Sequence, residues 1–292
     1  MLFVSEIMNR LSQQILILSA VSLATVAAAG VIGDDGRRTP GLEDADLRSA
    51  LGLIVCSGVI DNRRRRSAGT GTVVGSRSTV LTAAHVFADE DGRSGPRVQF
   101  DPAEDCVFRQ YDPAGEMTVE VAISHAQMGA FRQNAGVPNQ DWAVLRTAEP
   151  LPDGTTPVPF DDSGNEIKDL AGLPIKMLAF HADISAARRT PLLSEGELYR
   201  IDYGGFTRLA HTADSGRMSS GAAIVHRTGD GKDFVVGVNR SSANLGDFNL
   251  AVPLSIELVE TLNSYAFGQV PIGQQRLATS ETTGKVNSPR PF

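Results

Sequence analysis

From about residue 50 to residue 253, apolar and β-branched residues come in short runs, many alternating with polar positions, in a chain punctuated by Gly, Pro, Asp and Asn. Period-two runs closed by turn formers predict strands, and a long succession of them predicts an all-β fold. Candidate strands fall at 51–60, 69–74, 79–82, 97–100, 106–111, 118–123 and 142–146, with a second group at 175–180, 196–202, 206–212, 222–226, 234–239 and 249–253. Between the groups, the stretches 149–154 and 161–165 supply turn chemistry and a linker. One helix closes the folded part, with Ser255 as its N-cap and Ile256, Leu258, Val259 and Leu262 on its apolar face. After Phe267 the chain turns polar, too poor in apolar residues to offset the entropy of ordering, so 268–292 reads as a disordered tail.

The first residues carry a different pattern. Arg10 precedes an apolar run beginning at Ile15, and Ala27, Ala28 and Ala29 stand before Gly30. That order of charge, apolar stretch and small residues predicts a secretory signal peptide over 1–29. The run falls short of the roughly 20 apolar residues of a spanning helix, so no stable membrane association is expected after cleavage. The expected location is periplasmic or secreted. In such a compartment the two cysteines, Cys56 and Cys106, read as a disulfide, against the alternative of two buried thiols. A bridge closing that loop stabilises by about 4 kcal/mol in the chain-entropy picture.

With 292 residues, 41% of them hydrophobic, the chain is large enough for one or two cores. The expected division is 30–150 and 151–267. A net charge of −7 provides no general basic field for nucleic acid or anionic lipid. Arg63 to Arg66 are a local exception and read as a solvated hairpin tip.

Three segments carry candidate chemistry. In the first, an apolar hairpin ends in Thr82-Ala-Ala-His85, which delivers a histidine at a strand end behind small residues. In the second, Asp141-Trp-Ala-Val-Leu places a carboxylate at the start of an apolar strand, as a turn residue or a held anion. The third, Asp214-Ser-Gly-Arg-Met218-Ser219-Ser220-Gly221-Ala222-Ala223, is a serine-rich turn leading into an apolar strand.

Taken together, these segments resemble the trypsin/chymotrypsin superfamily of serine proteases. Thr-Ala-Ala-His is the form that family gives its general base. Asp-x-Ala-Val-Leu is its orienting acid, and Ser220-Gly221-Ala222-Ala223 is similar to its Ser-Gly-Gly-Pro nucleophile turn. The order His, Asp, Ser is also that of the family. Val31-Ile-Gly-Asp-Asp-Gly-Arg resembles the mature start of bacterial enzymes related to glutamyl endopeptidase.

The resemblance implies two antiparallel β-barrels with a C-terminal helix. His85 and Asp141 would come from the first barrel and Ser220 from the second, with the active site between them. It implies an endopeptidase acting on peptide or protein substrates through an acyl-enzyme, with Met218 and Ser220 N–H groups as oxyanion donors and no cofactor. Ser219 ranks second as nucleophile. Asp214, six positions before Ser220, matches a pocket-floor aspartate that would favour Arg or Lys substrates, while Arg240 on a cleft strand would neutralise it.

Two departures from the family pattern stand out. Met218 occupies a place where the family has glycine, and Ser219 replaces the aspartate that in animal trypsins pairs with a newly cut N-terminus. Glycine suits the first position because the loop can demand a backbone geometry that a side chain resists, so Met218→Gly is expected to raise kcat. The histidines His125, His181, His211 and His226 lack metal-binding spacing and read as structural, and no metal site is expected. Two other readings stand beside this one: a protease-like binding module that has lost turnover, which Met218 makes credible, and an exported scaffold engaging a partner through its basic loop or polar tail.

Overall fold

A computed structural model describes residues 30–60, 62–89, 98–129, 138–160, 172–184, 188–203, 206–242 and 248–268. The segments 1–29, predicted as a signal peptide, 161–165, predicted as a turn, and 269–292, predicted as a tail, lie outside these residues. Fourteen strands succeed one another: β1 (Leu51–Ile60), β2 (Arg63–Val73), β3 (Thr79–Thr82), β4 (Ala88–Asp89), β5 (Val98–Gln99), β6 (Cys106–Tyr111), β7 (Met117–Met128), β8 (Ala143–Thr147), β9 (Leu173–Ala179), β10 (Leu192–Tyr203), β11 (Phe206–His211), β12 (Ala223–Arg227), β13 (Asp233–Ser242) and β14 (Asn249–Pro253). Twelve of them close into two antiparallel barrels, in the orders β1-β2-β3-β8-β7-β6 and β10-β11-β14-β13-β12-β9. Closure removes the strand edges that an open sheet would leave unpaired.

The alternation read from the sequence becomes an inside and an outside. In β6, Cys106, Phe108 and Gln110 are buried while Val107, Arg109 and Tyr111 are partly exposed. β2 begins earlier than its apolar residues suggest: Arg63 to Arg66 are not a hairpin tip but pair with Ile60 to Ser57. Arg64 and Arg66 share one exposed face, so strand period rather than composition decides their place. Cys56 and Cys106 stand opposite each other on β1 and β6 and form the disulfide, 2.06 Å between sulfurs.

Both ends of the described chain brace the barrel to which they do not belong. The segment before β1 crosses to the second barrel, where Arg38 exchanges backbone hydrogen bonds with Leu193. Asp44, fully buried, pairs with Lys176 of β9 at 2.7 Å. At the other end, the helix Ile256–Phe267 comes after the second barrel and packs on the first. The Ser255 hydroxyl caps it by accepting from Leu258 N–H at 3.3 Å. Leu258, Val259, Leu262 and Tyr265 enter a core shared with Phe108, Leu145, Val225 and Val238 of the two barrels. Ile256, expected on that apolar face, is 61% exposed, because the first helical position turns to solvent. Arg146 of β8 locks the helix end by donating to the Tyr265 carbonyl at 2.7 Å. The second barrel keeps a further core of its own around Ile175, Met177, Leu198, Leu209 and Ile224.

Candidate active site

β3 and β8 are neighbours, with Thr82 opposite Ala143, so the residues just after β3 lie beside those just before β8. After Thr82 the chain enters the 3-10 turn Ala84–Phe87, which carries His85, and Asp141 comes just before Trp142 and β8. The two side chains therefore meet at the ends of two paired strands. Asp141 Oδ1 accepts the backbone N–H of His85 at 2.9 Å, and Oδ2 accepts from Nδ1 at 2.8 Å. A carboxylate has no proton to offer, so the imidazole carries its proton on Nδ1 and its basic nitrogen is Nε2. Asp141 is only 1% exposed. Burial alone would raise its pKa, but the charge and hydrogen bonds of His85 and the charge of Arg240 outweigh that, and the carboxyl lies below its ordinary value.

The serine-rich turn reaches this pair from the second barrel. Gly221 has φ +89°, and a Cβ there would lie 2.8 Å from the Ala83 nitrogen. The missing side chain is what allows the turn to dock on the strand end carrying His85. Gly69 serves the same approach from β2, since a Cβ on it would sit 2.9 Å from the Ser220 carbonyl. Thr70 then fixes the turn twice, its N–H donating to the Ser220 carbonyl at 2.9 Å and its hydroxyl to the Met218 carbonyl at 2.8 Å.

The adjacent serines differ sharply. Ser219 is buried, and its hydroxyl donates to the Gly216 carbonyl at 2.7 Å while accepting from Gly216 N–H and from Asn239 Nδ2 at 3.0 Å. Ser220 is half-buried, and its hydroxyl donates to the Arg240 carbonyl at 3.2 Å. The guanidinium of Arg240 in turn donates from Nε to Asp141 Oδ2 at 3.2 Å. Ser220, Arg240, Asp141 and His85 thus form one continuous cluster between the barrels.

Met218 has φ +76°, one of two non-glycine residues with positive φ among the described residues. The loop does demand the left-handed geometry that glycine takes without strain, and Met218 adopts it at a cost of about 1–2 kcal/mol.

The model of the trypsin-like peptidase domain matches residues 69–238, more than half of the chain, including His85, Asp141, Met218, Ser219 and Ser220 and leaving out Asn239 and Arg240. The chain belongs to the trypsin-like peptidase family. Among solved structures, a Glu endopeptidase in complex with MPD is 20% identical, with a TM-score of 0.62 over 81% of this chain and 99% of that one. A thermostable serine protease, AL20, from an extremophilic microorganism is 18% identical, with a TM-score of 0.54 over 77% and 98%. Protease Anisep from Arthrobacter nicotinovorans is 14% identical, with a TM-score of 0.55 over 76% and 96%. No curated protein matches at the level of sequence. At such identities the structural likeness speaks for the fold, which is the serine-protease double barrel.

Two residues of this trypsin-like peptidase sit differently from what the sequence suggests. Asp214 is 5% exposed, and its two oxygens accept the N–H groups of Ile32 and Gly36, each at 2.7 Å. It anchors the segment after Gly30 instead of presenting a bare carboxylate to a basic side chain. Arg240 is paired with Asp141 and so is not the neutralising partner of Asp214.

Near that anchor is a group that sequence reasoning missed. The Arg37 side chain, 2% exposed, bridges Asp35 and Asp183 at 2.8 Å each and donates to His181 Nδ1 at 3.1 Å. An arginine among charged residues reads as surface, and nothing local signals its burial. His211 is also buried, its Nε2 donating to Asn239 Oδ1 at 3.1 Å, behind the Ser219 turn. Burial pushes both His181 and His211 down to about 4, with the Arg37 charge adding to the effect on His181. Among the described residues no group of three His, Cys, Asp or Glu could hold a metal ion.

Proposed function

We propose that this peptidase is an exported serine endopeptidase in which Ser220 is the nucleophile, His85 the general base and Asp141 the orienting acid. The observation that carries the reading is the contrast between the two serines. Ser219 has its hydroxyl buried in three hydrogen bonds, while Ser220 offers a half-buried hydroxyl in the same cluster as His85 and the buried Asp141.

In this mechanism Ser220 Oγ leaves the Arg240 carbonyl and attacks a peptide carbonyl carbon while His85 Nε2 takes its proton. Asp141 stabilises the imidazolium that forms. The proton then passes to the leaving amine, and water hydrolyses the acyl-enzyme by the reverse sequence. The N–H groups of Met218 and Ser220 fit the oxyanion role. Among the described residues neither has a partner, whereas Ser219 and Gly221 N–H groups donate to the Gly216 and Asn239 carbonyls.

Because Met218 already stands at φ +76°, it supports active chemistry over a binding module without turnover. The sequence-based expectation for Met218→Gly changes accordingly. The variant should relieve backbone strain, offset in part by the greater freedom of glycine in the unfolded chain, for a net gain of up to about 1 kcal/mol. It should leave kcat within about twofold. A tenfold rise in kcat would mean that methionine holds the oxyanion peptide away from substrate.

The Asp214 arrangement gives a basic P1 side chain no open carboxylate, so we do not assign a preference for Arg or Lys. The Cys56–Cys106 bridge and the leader over 1–29 support export, and among the described residues no helix is long and apolar enough to cross a membrane. A division near residue 150, with His85 and Asp141 before it and Ser220 after it, belongs to the same reading. Incubation with a reduced, unfolded protein, with sequencing of the fragments, tests the proposal. Internal cleavage blocked by a serine-directed fluorophosphonate is expected, and an intact substrate after long incubation with folded enzyme would overturn it.

A further inference from the structure

Arg240 touches both ends of the catalytic cluster, and a β-bulge puts it there. Along β13 and β14, Asn239 pairs with Ala251 and Ser241 with Leu250, which leaves Arg240 as the extra, unmatched residue. A bulge re-aims a side chain that regular pairing would direct elsewhere. Here the side chain reaches the buried carboxylate of Asp141, and the backbone carbonyl of the same residue accepts the Ser220 hydroxyl. Arg240 Nε and His85 Nδ1 share a single oxygen, Asp141 Oδ2, at 3.2 and 2.8 Å.

We propose that Arg240 is a positioning residue that sets the pH range of the peptidase by sharing the charge of Asp141 with His85. The inference rests on the triad reading above. A carboxylate beside an imidazole normally favours the imidazolium, which keeps the base protonated until the pH rises past its pKa. A permanent cation on the same oxygen cancels part of that attraction and repels the imidazolium directly. His85 then stays neutral, and able to accept the Ser220 proton, to lower pH than the His–Asp pair alone would allow. The same contact prevents Asp141 from turning away, since Oδ2 is held from two parts of the chain at once, by His85 and by Arg240.

Strand β2, which packs on the turn that carries His85, adds no charge at that contact. Gly69 and Thr70 of β2 are uncharged, and Ser220 contributes a hydroxyl. The arginines of β2 lie further along that strand, opposite residues 57–60. Arg240 is therefore the cation that the described structure brings to the acid.

The test is the pH dependence of kcat/KM on an uncharged ester substrate for the native protein, Arg240→Gln and Arg240→Lys. In Arg240→Gln the acid limb is expected to move up by about one pH unit, the scale of one charge acting through a partly buried site. Arg240→Lys, which restores the charge without the planar fork, should bring the limb back most of the way. An NMR titration of the His85 ring in a Ser220→Ala background, with and without Arg240→Gln, reads the same shift without needing turnover. An unmoved limb and an unmoved ring titration in folded Arg240→Gln would overturn the proposal, as would a loss of activity that is equal at every pH. Failure of the triad reading looks different, because Ser220→Ala would then retain activity whatever Arg240 does.

Discussion

Ser220→Ala is expected to lower kcat for peptide hydrolysis by about 10⁴-fold or more, because it removes the atom that forms the acyl bond. Stability should hardly change. The hydroxyl lost is half-buried and makes one 3.2 Å bond to a carbonyl, and a methyl group fits the space it leaves. Ser219→Ala should behave in the opposite way. It strips a buried hydroxyl from three bonds and leaves Gly216 N–H and one hydrogen of the Asn239 amide with less to bind, at a cost of about 1–3 kcal/mol. Kinetics and thermal unfolding of the two variants together distinguish nucleophile from scaffold. A Ser220→Ala enzyme with native turnover would remove it from the mechanism.

Acid should destabilise the protein well before its carboxylates titrate. His181 and His211 are held near pKa 4 in the folded protein and return to about 6.5 in the unfolded chain. Above pH 6.5 both are neutral in both states and contribute no slope. Below it the unfolded chain binds protons that the folded one refuses, so each residue lowers stability by about 1.4 kcal/mol per pH unit until pH falls to about 4. By pH 5 the two together should remove about 4 kcal/mol, a large share of what holds most domains folded. Asp141, whose pKa is lowered, acts in a separate window: its contribution persists above the unfolded carboxyl value and is lost only as pH falls through the folded one. Urea unfolding between pH 7.5 and 5 measures the slope. His211→Gln, which keeps a donor toward Asn239, should roughly halve it, and a flat profile in the native protein would contradict the burial argument.

What was legible in the sequence was local. β1, β3, β6 and β14 match their predicted spans, and β6 is bounded on both sides by turn formers, Asp105 and Asp112. β7, β10 and β13 run longer than predicted, and in β7 and β13 register shifts at Ile123/His125 and Asn239/Ser241 admit polar residues that interrupt alternation. The His85 and Asp141 segments could be read because each lies at the end of a short apolar strand. The role of Asp214 could not, because its partners Ile32 and Gly36 are 182 and 178 positions away and contribute only backbone N–H groups, which have no side-chain signature. Arg37 and Arg240 failed for a related reason: the burial of one and the bulge that redirects the other are products of long-range register.

The most direct measurement is the site of covalent attachment of a fluorophosphonate to the folded protein at pH 7.5, read by peptide mass spectrometry. Such a probe phosphonylates a serine only where a base accepts its proton and an oxyanion site receives the developing charge. A single adduct on Ser220, absent from Ser220→Ala and strongly slowed in Asp141→Asn, is the predicted result. An adduct on Ser219, or a folded protein that takes none, would contradict the assignment of Ser220, His85 and Asp141 as the catalytic triad.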